Sequence, residues 1–118
     1  MVSKSLPPAP SDDADFHAHV YYDAGEKAAA EMLRARLEDW PGLVLGRWHD
    51  APVGPHPTGS FQIAFRSEDF GRLVPWLMKN RNGLIILVHA LTGNDLRDHT
   101  EFAAWLGGPL PLDLKVFD

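Results

Sequence analysis

The chain contains no cysteine. That absence removes disulfides, thiolate metal sites and a cysteine nucleophile together, and it fits a reducing compartment. No apolar run approaches the roughly 18 residues of a membrane-spanning helix, so no membrane partner is expected. The eleven lysines and arginines are scattered in a chain of net charge −5. There is no basic stripe to track phosphates, which argues against nucleic acid as a partner. Glycine-rich phosphate loops, the G-x-S-x-G elbow and H-E-x-x-H are missing as well. The start, MVSKSLPPAPSDDAD, lacks the apolar core of a secretion signal. Cytoplasmic residence is the resulting expectation.

What is present suits one small globular domain. The chain has 118 residues, of which 45% are hydrophobic and 23% charged, and that length supports a single core without staples. Residues 1–15 are rich in Pro, Ser and Asp and read as a disordered arm. Residues 16–118 read as the domain, with no internal repeat and no dividing linker.

Along that domain, FHAHVYY (Phe16–Tyr22) alternates and is rich in β-formers, the pattern of a strand. Asp23 and Glu26 have capping-box spacing before a helix over Glu26–Trp40, which Pro41-Gly42 stops. LVLGRWH (Leu43–His49) is a second strand, Asp50–Gly59 a proline-punctuated loop, and Ser60–Phe65 a third strand. A helix capped by Ser67 follows, with Pro75 expected to kink or break it. Leu84–Leu91 is a fourth strand, and a short helix is expected over Asp95–Trp105. The order is α+β, a ferredoxin-like βαββαβ sandwich with both main helices on one face of an antiparallel sheet, plus a short C-terminal helix. The other sheet face is left open.

The six histidines acquire meaning from the period of two. Ala18, Val20 and Tyr22 share one face of the first strand, and His17, His19 and Tyr21 the other. Phe61, Ile63 and Phe65 oppose Ser60, Gln62 and Ala64 on the third. Val44, Gly46 and Trp48 separate from Leu45, Arg47 and His49 on the second, and Ile85, Leu87 and His89 from Leu84, Ile86 and Val88 on the fourth. With the wholly apolar sets under the helices, His17, His19, Arg47, His49, Gln62 and His89 project from the open face. His56, on the loop, folds over them. His49 and His56 then form a wall and the lid of a pocket floored by His17, His19 and His89. A lone strand histidine is ordinarily a surface or satisfied residue; it is the convergence that argues for a shared site. His99 falls in line with Leu96, Ala103 and Leu106 and reads as core. The four tryptophans read as core too.

Neutral imidazoles suit zinc, iron, copper or nickel. Residues i and i+2 on a strand bring two rings to one ion, and a third comes from the neighbouring strand. A structural zinc site closes with four ligands, whereas here histidines, Arg47 and Gln62 remain over to hold and deprotonate a substrate. Catalysis is therefore the better reading. A three-histidine site and a 2-His-1-carboxylate site both remain open, because no acid stands at an obvious ligand position. A Ser60–His49 dyad lacks an orienting acid and an oxyanion hole.

The segments FHAHVYYD, RWHDAPVGPHPTGSFQIAF, LVPWLMKNRNGLIILVHALTGNDLRDHTEFAAWLG and PLPLDL resemble the DOPA 4,5-dioxygenase family, fungal-type ring-cleaving enzymes and their small bacterial relatives. The shared pattern is H-x-H, R-W-H-D, G-P-H-P, L-V-H, T-G and D-H-T, and it runs from Phe16 to Leu114. The resemblance implies an iron(II)-dependent extradiol dioxygenase of ferredoxin-like fold, acting on a catechol with O2, and a homodimer. The sequence does not decide between iron and an adventitious zinc in purified protein. From their shared open face, His17, His19 and His89 are the expected metal ligands among the five candidate histidines, with His49, His56 and Arg47 as the catalytic group; the division between ligands and base stays open. Arg47, Gln62 and Tyr21 are expected against the substrate. A homodimer would draw part of its contact from the PLPLDLKVF tail. The competing reading is a non-catalytic module of the same fold that binds a metal or a small aromatic ligand.

Overall fold

A computed structural model describes residues 14–118. The expected arm lies almost wholly outside the described residues.

The elements run β1 (Phe16–Tyr22), α1 (Lys27–Leu37), β2 (Val44–Leu45), β3 (Gly59–Phe65), α2 (Ser67–Asn80), β4 (Ile85–Ala90), α3 (Asp95–Asp98) and β5 (Ala103–Leu106). The strands form one sheet in the order β2-β3-β1-β4-β5, with every neighbouring pair antiparallel. This is the expected sandwich with an added edge strand. Glu26 accepts the Asp23 N–H at 3.1 Å as a capping box requires, and a 3-10 turn over Ala24–Glu26 leads into α1. α2 continues through Pro75 without the expected break. The amide bond that Pro75 forgoes belongs to its exposed flank, and the apolar face carrying Leu73, Val74 and Leu77 stays buried.

The core lies between the helices and one sheet face. Ala18, Val20 and Tyr22 from β1, Phe61, Ile63 and Phe65 from β3, and Ile86 and Val88 from β4 pack against Ala30, Leu33 and Leu37 of α1 and the α2 residues. Each fully buried Leu, Ile or Phe contributes roughly 1.5–3 kcal/mol. This burial fixes the phase of every strand, because a slip of one residue would put the apolar set in water. It thereby also fixes what the other face presents.

Two elements depart from expectation. The segment after α3 is not helical: α3 ends at Asp98, and Ala103–Leu106 pair with β4, Leu87 opposite Trp105 and His89 opposite Ala103. Trp105 and Leu106 bury more apolar surface on the sheet edge than a further turn of exposed helix would. The second strand is also interrupted. Leu45 pairs with Ile63 whereas His49 pairs with Ser60, so four residues on one side answer three on the other. That is a β-bulge, with one extra residue in the edge strand.

The bulge corrects the expected faces of this strand. Leu45 packs against the core, not on the open face, and so does Trp48, whose ring meets Phe61 at 5.0 Å and Tyr22 at 5.4 Å. Beyond the extra residue His49 shares the open face with Ser60. Its backbone exchanges two hydrogen bonds with Ser60, 3.0 and 2.8 Å, and its carbonyl also accepts the Tyr22 hydroxyl at 2.9 Å.

Gly59 is the tight point of this arrangement. A Cβ there would lie 2.8 Å from the Tyr22 ring and 2.9 Å from the Tyr22 carbonyl oxygen. Gly59→Ala is therefore expected to cost about 1–3 kcal/mol of stability through overpacking against backbone that has no room to yield. Urea denaturation measures it; an unchanged midpoint would show that the Tyr22–His49 corner is looser than described.

Candidate metal centre

The open face carries a block of histidines at the middle of the sheet. His17 on β1 stands directly opposite His89 on β4, and His19 stands one pleat further along. Nitrogen atoms of His17, His19 and His89 all lie within 4.8 Å of one another. Strand pairing sets this spacing, and both β1 and β4 are internal strands paired on each side.

The protonation of these rings follows from their neighbours. His89 Nδ1 is 2.8 Å from the Ala90 carbonyl and so carries the proton, leaving Nε2 with its lone pair. That Nε2 lies 3.0 Å from His19 Nε2. Two imidazole nitrogens bound to one ion at roughly 2.0–2.1 Å would sit about 3 Å apart at a near-right angle, so the pair has the spacing of joint ligands. His17 Nε2 is buried and makes no hydrogen bond to any described residue. Buried polar atoms of native proteins are almost always partnered. A cation between these rings satisfies all three nitrogens at once, and a backbone carbonyl holding the far nitrogen of a ligand, as at His89, is the usual support of such a site.

Electrostatics agrees. Burial, reinforced by the neighbouring imidazoles, lowers His17 and His56 from the ordinary 6.5 to about 4. His89 is also lowered to about 4, chiefly by burial. His19 is pushed well below the ordinary value by burial and by the surrounding histidines. The rings are neutral at pH 7, the form that binds a metal.

The other expected site residues divide into two groups. His49, His56, Arg47 and Gln62 line, with His19 and Ser60, one cleft of about 310 Å³ beside the triad. That size is at the small end of ligand pockets. His56 is brought in by a tight turn, its N–H donating to the Val53 carbonyl at 3.0 Å with Gly54 at φ +56. Its ring centroid is 4.1 Å from that of His19. Tyr21, expected against substrate, lies in hydrogen-bond contact with His56, its hydroxyl 2.7 Å from His56 Nδ1.

His99 corrects the expectation of core packing. Its ring is 4.1 Å from that of His89 and 6.2 Å from that of His19, and Nδ1 lies 2.8 Å from the Asp95 carbonyl. Helical periodicity placed it in the core; the early end of α3 swings it over the open face. The Phe117 ring covers it at 4.8 Å, and the same tail is tied down by the Asp113 N–H donating to the Pro55 carbonyl at 2.9 Å. The tail residues thus lie along their own chain. Asp98, the buried acid nearby, is occupied by the Thr92 N–H and hydroxyl at 2.9 and 2.6 Å. Among the described residues, the group assembled for a metal is therefore of histidines alone.

The Dopa 4,5-dioxygenase family model matches residues 16–116. The chain belongs to this family. It is 41% identical over 113 residues to the DOPA 4,5-dioxygenase of Amanita muscaria, covering 88% of this chain and 50% of that one. It is 37% identical over 113 residues to an uncharacterized 21.2 kDa protein of Botryotinia fuckeliana, covering 86% and 62%. The chain thus spans roughly half to three-fifths of these curated relatives. A crystal structure of a Nostoc punctiforme protein, provisionally assigned as a dioxygenase, superposes with TM-score 0.84 at 48% identity, covering 87% of this chain and 90% of that one. Such a likeness at this identity bears on both the fold and the family.

Two outcomes are expected. His17→Ala, His19→Ala and His89→Ala should purify with far less bound metal than the unaltered protein, while His49→Ala and His56→Ala retain it. Elemental analysis decides; the reverse pattern would exchange the ligand and cleft assignments. In the metal-free protein, the unfolded chain takes up protons on these histidines below pH 6.5 and the folded one only near 4. Stability is therefore complete above pH 6.5 and falls as the pH drops towards 4. A urea midpoint of metal-free protein that is flat across that window would contradict the buried, neutral cluster.

Proposed function

We propose that this protein is an extradiol dioxygenase that inserts O2 into a small single-ring catechol at iron(II) held by His17, His19 and His89. The observation that carries the reading is the placement of the three-histidine group beside a small cleft whose remaining walls are acid–base and anion-binding side chains. Family membership and the Amanita muscaria relative named DOPA 4,5-dioxygenase support it.

Three imidazoles bind an ion while leaving part of its coordination to exchangeable ligands, as catalytic sites require. Iron(II) supplies, when bound, the one-electron chemistry that lets a catechol react with O2. The protein's own residues do the rest. A catechol gives up both hydroxyl protons before its ring becomes electron-rich enough to open, and ligand nitrogens are committed to the metal. His49 and His56, both in the cleft and outside the triad, are left to manage those protons. Arg47 is exposed at the mouth of the cleft, where its planar fork suits a substrate carboxylate in a bidentate grip. Gln62 stands opposite His19 across β1 and β3 and can donate to or accept from a substrate hydroxyl.

The test is direct. Protein loaded with iron(II), given air and a panel of catechols with and without a carboxylate side chain, should yield a yellow ring-opened semialdehyde that keeps both oxygen atoms. His49→Ala and His56→Ala should retain iron and lose roughly 10²–10⁴-fold in turnover. A melting-temperature shift with catechols but no yellow product would establish a binding module in place of an enzyme.

A further inference from the structure

The two cleft histidines differ in how they are held, and the difference assigns them different roles. His49 is fixed through its backbone, which exchanges two hydrogen bonds with Ser60. Its half-buried ring faces the cleft. His56 is fixed through its ring: Nδ1 lies 2.7 Å from the Tyr21 hydroxyl, and both residues are buried.

A neutral imidazole has one N–H and one lone pair, and the partner of one nitrogen decides which atom carries the proton. The Tyr21 hydroxyl has a proton of its own to place. Its ring is packed against Trp105 at a centroid distance of 6.0 Å, and His56 Nδ1 is its hydrogen-bond partner among the described residues. A tyrosine hydroxyl ordinarily keeps its proton at neutral pH. If Nδ1–H donated to the phenol oxygen, the buried O–H would be left without an acceptor. If the phenol donates to the Nδ1 lone pair, both groups are satisfied.

Resting on the dioxygenase reading, we propose that Tyr21 is a positioning residue that holds His56 as its Nε2–H tautomer. His56 then acts as a hydrogen-bond donor to substrate oxygen, and His49 is the base. In this division the second phenolic proton passes to His49. His56 Nε2–H steadies the negative charge left on the substrate, and no proton need leave it. Preorganised donors of this kind gain strength in a site shielded from water.

Glutamine at position 56 separates the roles, because its amide donates a hydrogen bond but takes up no proton. His56→Gln is expected to keep at least 10-fold more turnover than His56→Ala, whereas His49→Gln should be as inactive as His49→Ala. Tyr21→Phe should lower kcat roughly 10- to 100-fold, the loss common when the partner orienting a histidine is removed, with KM little changed and metal retained. Equal inactivity of His56→Gln and His56→Ala would overturn the donor role and return the base to His56. Ring nitrogen NMR of the zinc-loaded, 15N-histidine protein tests the tautomer without any turnover. The His56 signal, identified by its loss in His56→Ala, should report Nε2–H and should change in Tyr21→Phe. A signal of the Nδ1–H form, or one indifferent to Tyr21→Phe, would refute the proposal. If no catechol is turned over, the dioxygenase reading fails, and the ring signals still decide what Tyr21 does.

Discussion

The structure is organised around imidazole nitrogens buried at the centre of a sheet without enough partners among the described residues. His19 and His89 hold Nε2 atoms 3.0 Å apart, and His17 Nε2 has no hydrogen bond to a described residue. An unpaired buried polar group costs about 1–3 kcal/mol, and like-charged imidazolium rings could not share the space at all. The helical face has to supply that energy. Its continuous apolar core sets strand phase firmly enough that the polar residues of β1 and β4 have nowhere else to turn. One face of the sheet is thereby spent on stability and the other is released for chemistry.

This division explains what could be read from the sequence. Period-two alternation in FHAHVYY, SFQIAF and LIILVHAL fixes which residues lie opposite one another once the helices claim the apolar set. The triad, with Gln62 and Tyr21, follows from that rule. The rule fails on the second strand because alternation assumes one residue against one, and the extra residue between Leu45 and His49 reverses the phase midway. His49 reached its expected face by this reversal, while Leu45 went to the other. Gly46 followed by two bulky residues is the trace of the bulge in the sequence, but tertiary pairing is what places it.

His99 escapes the helical pattern for a related reason. A helical pattern over Asp95–Trp105 aligns it with Leu96 and Leu106, and only the short run of α3 breaks that alignment. The residues Ala103–Leu106 gain more by pairing with β4 than by continuing a helix, and this competition is decided by an edge strand distant in sequence. The D-H-T segment within the family pattern was the available signal.

The two tiers of the site differ in rigidity as well as in chemistry. The triad sits on paired central strands, where backbone hydrogen bonds on both sides leave little freedom. The cleft residues sit on a bulge, on a proline-rich turn and beside a tail, each held by a few identifiable contacts: Tyr22 and Ser60 on His49, Tyr21 on His56, and Asp113 on Pro55. A metal site tolerates small errors in ligand position poorly, so it belongs on the stiff tier. Proton handling must follow a substrate that enters and leaves, which suits elements held by few contacts. The loop and the tail meet through the Asp113–Pro55 bond above the same histidines. Movement of either therefore changes the shape of the cleft while leaving the triad where strand pairing put it.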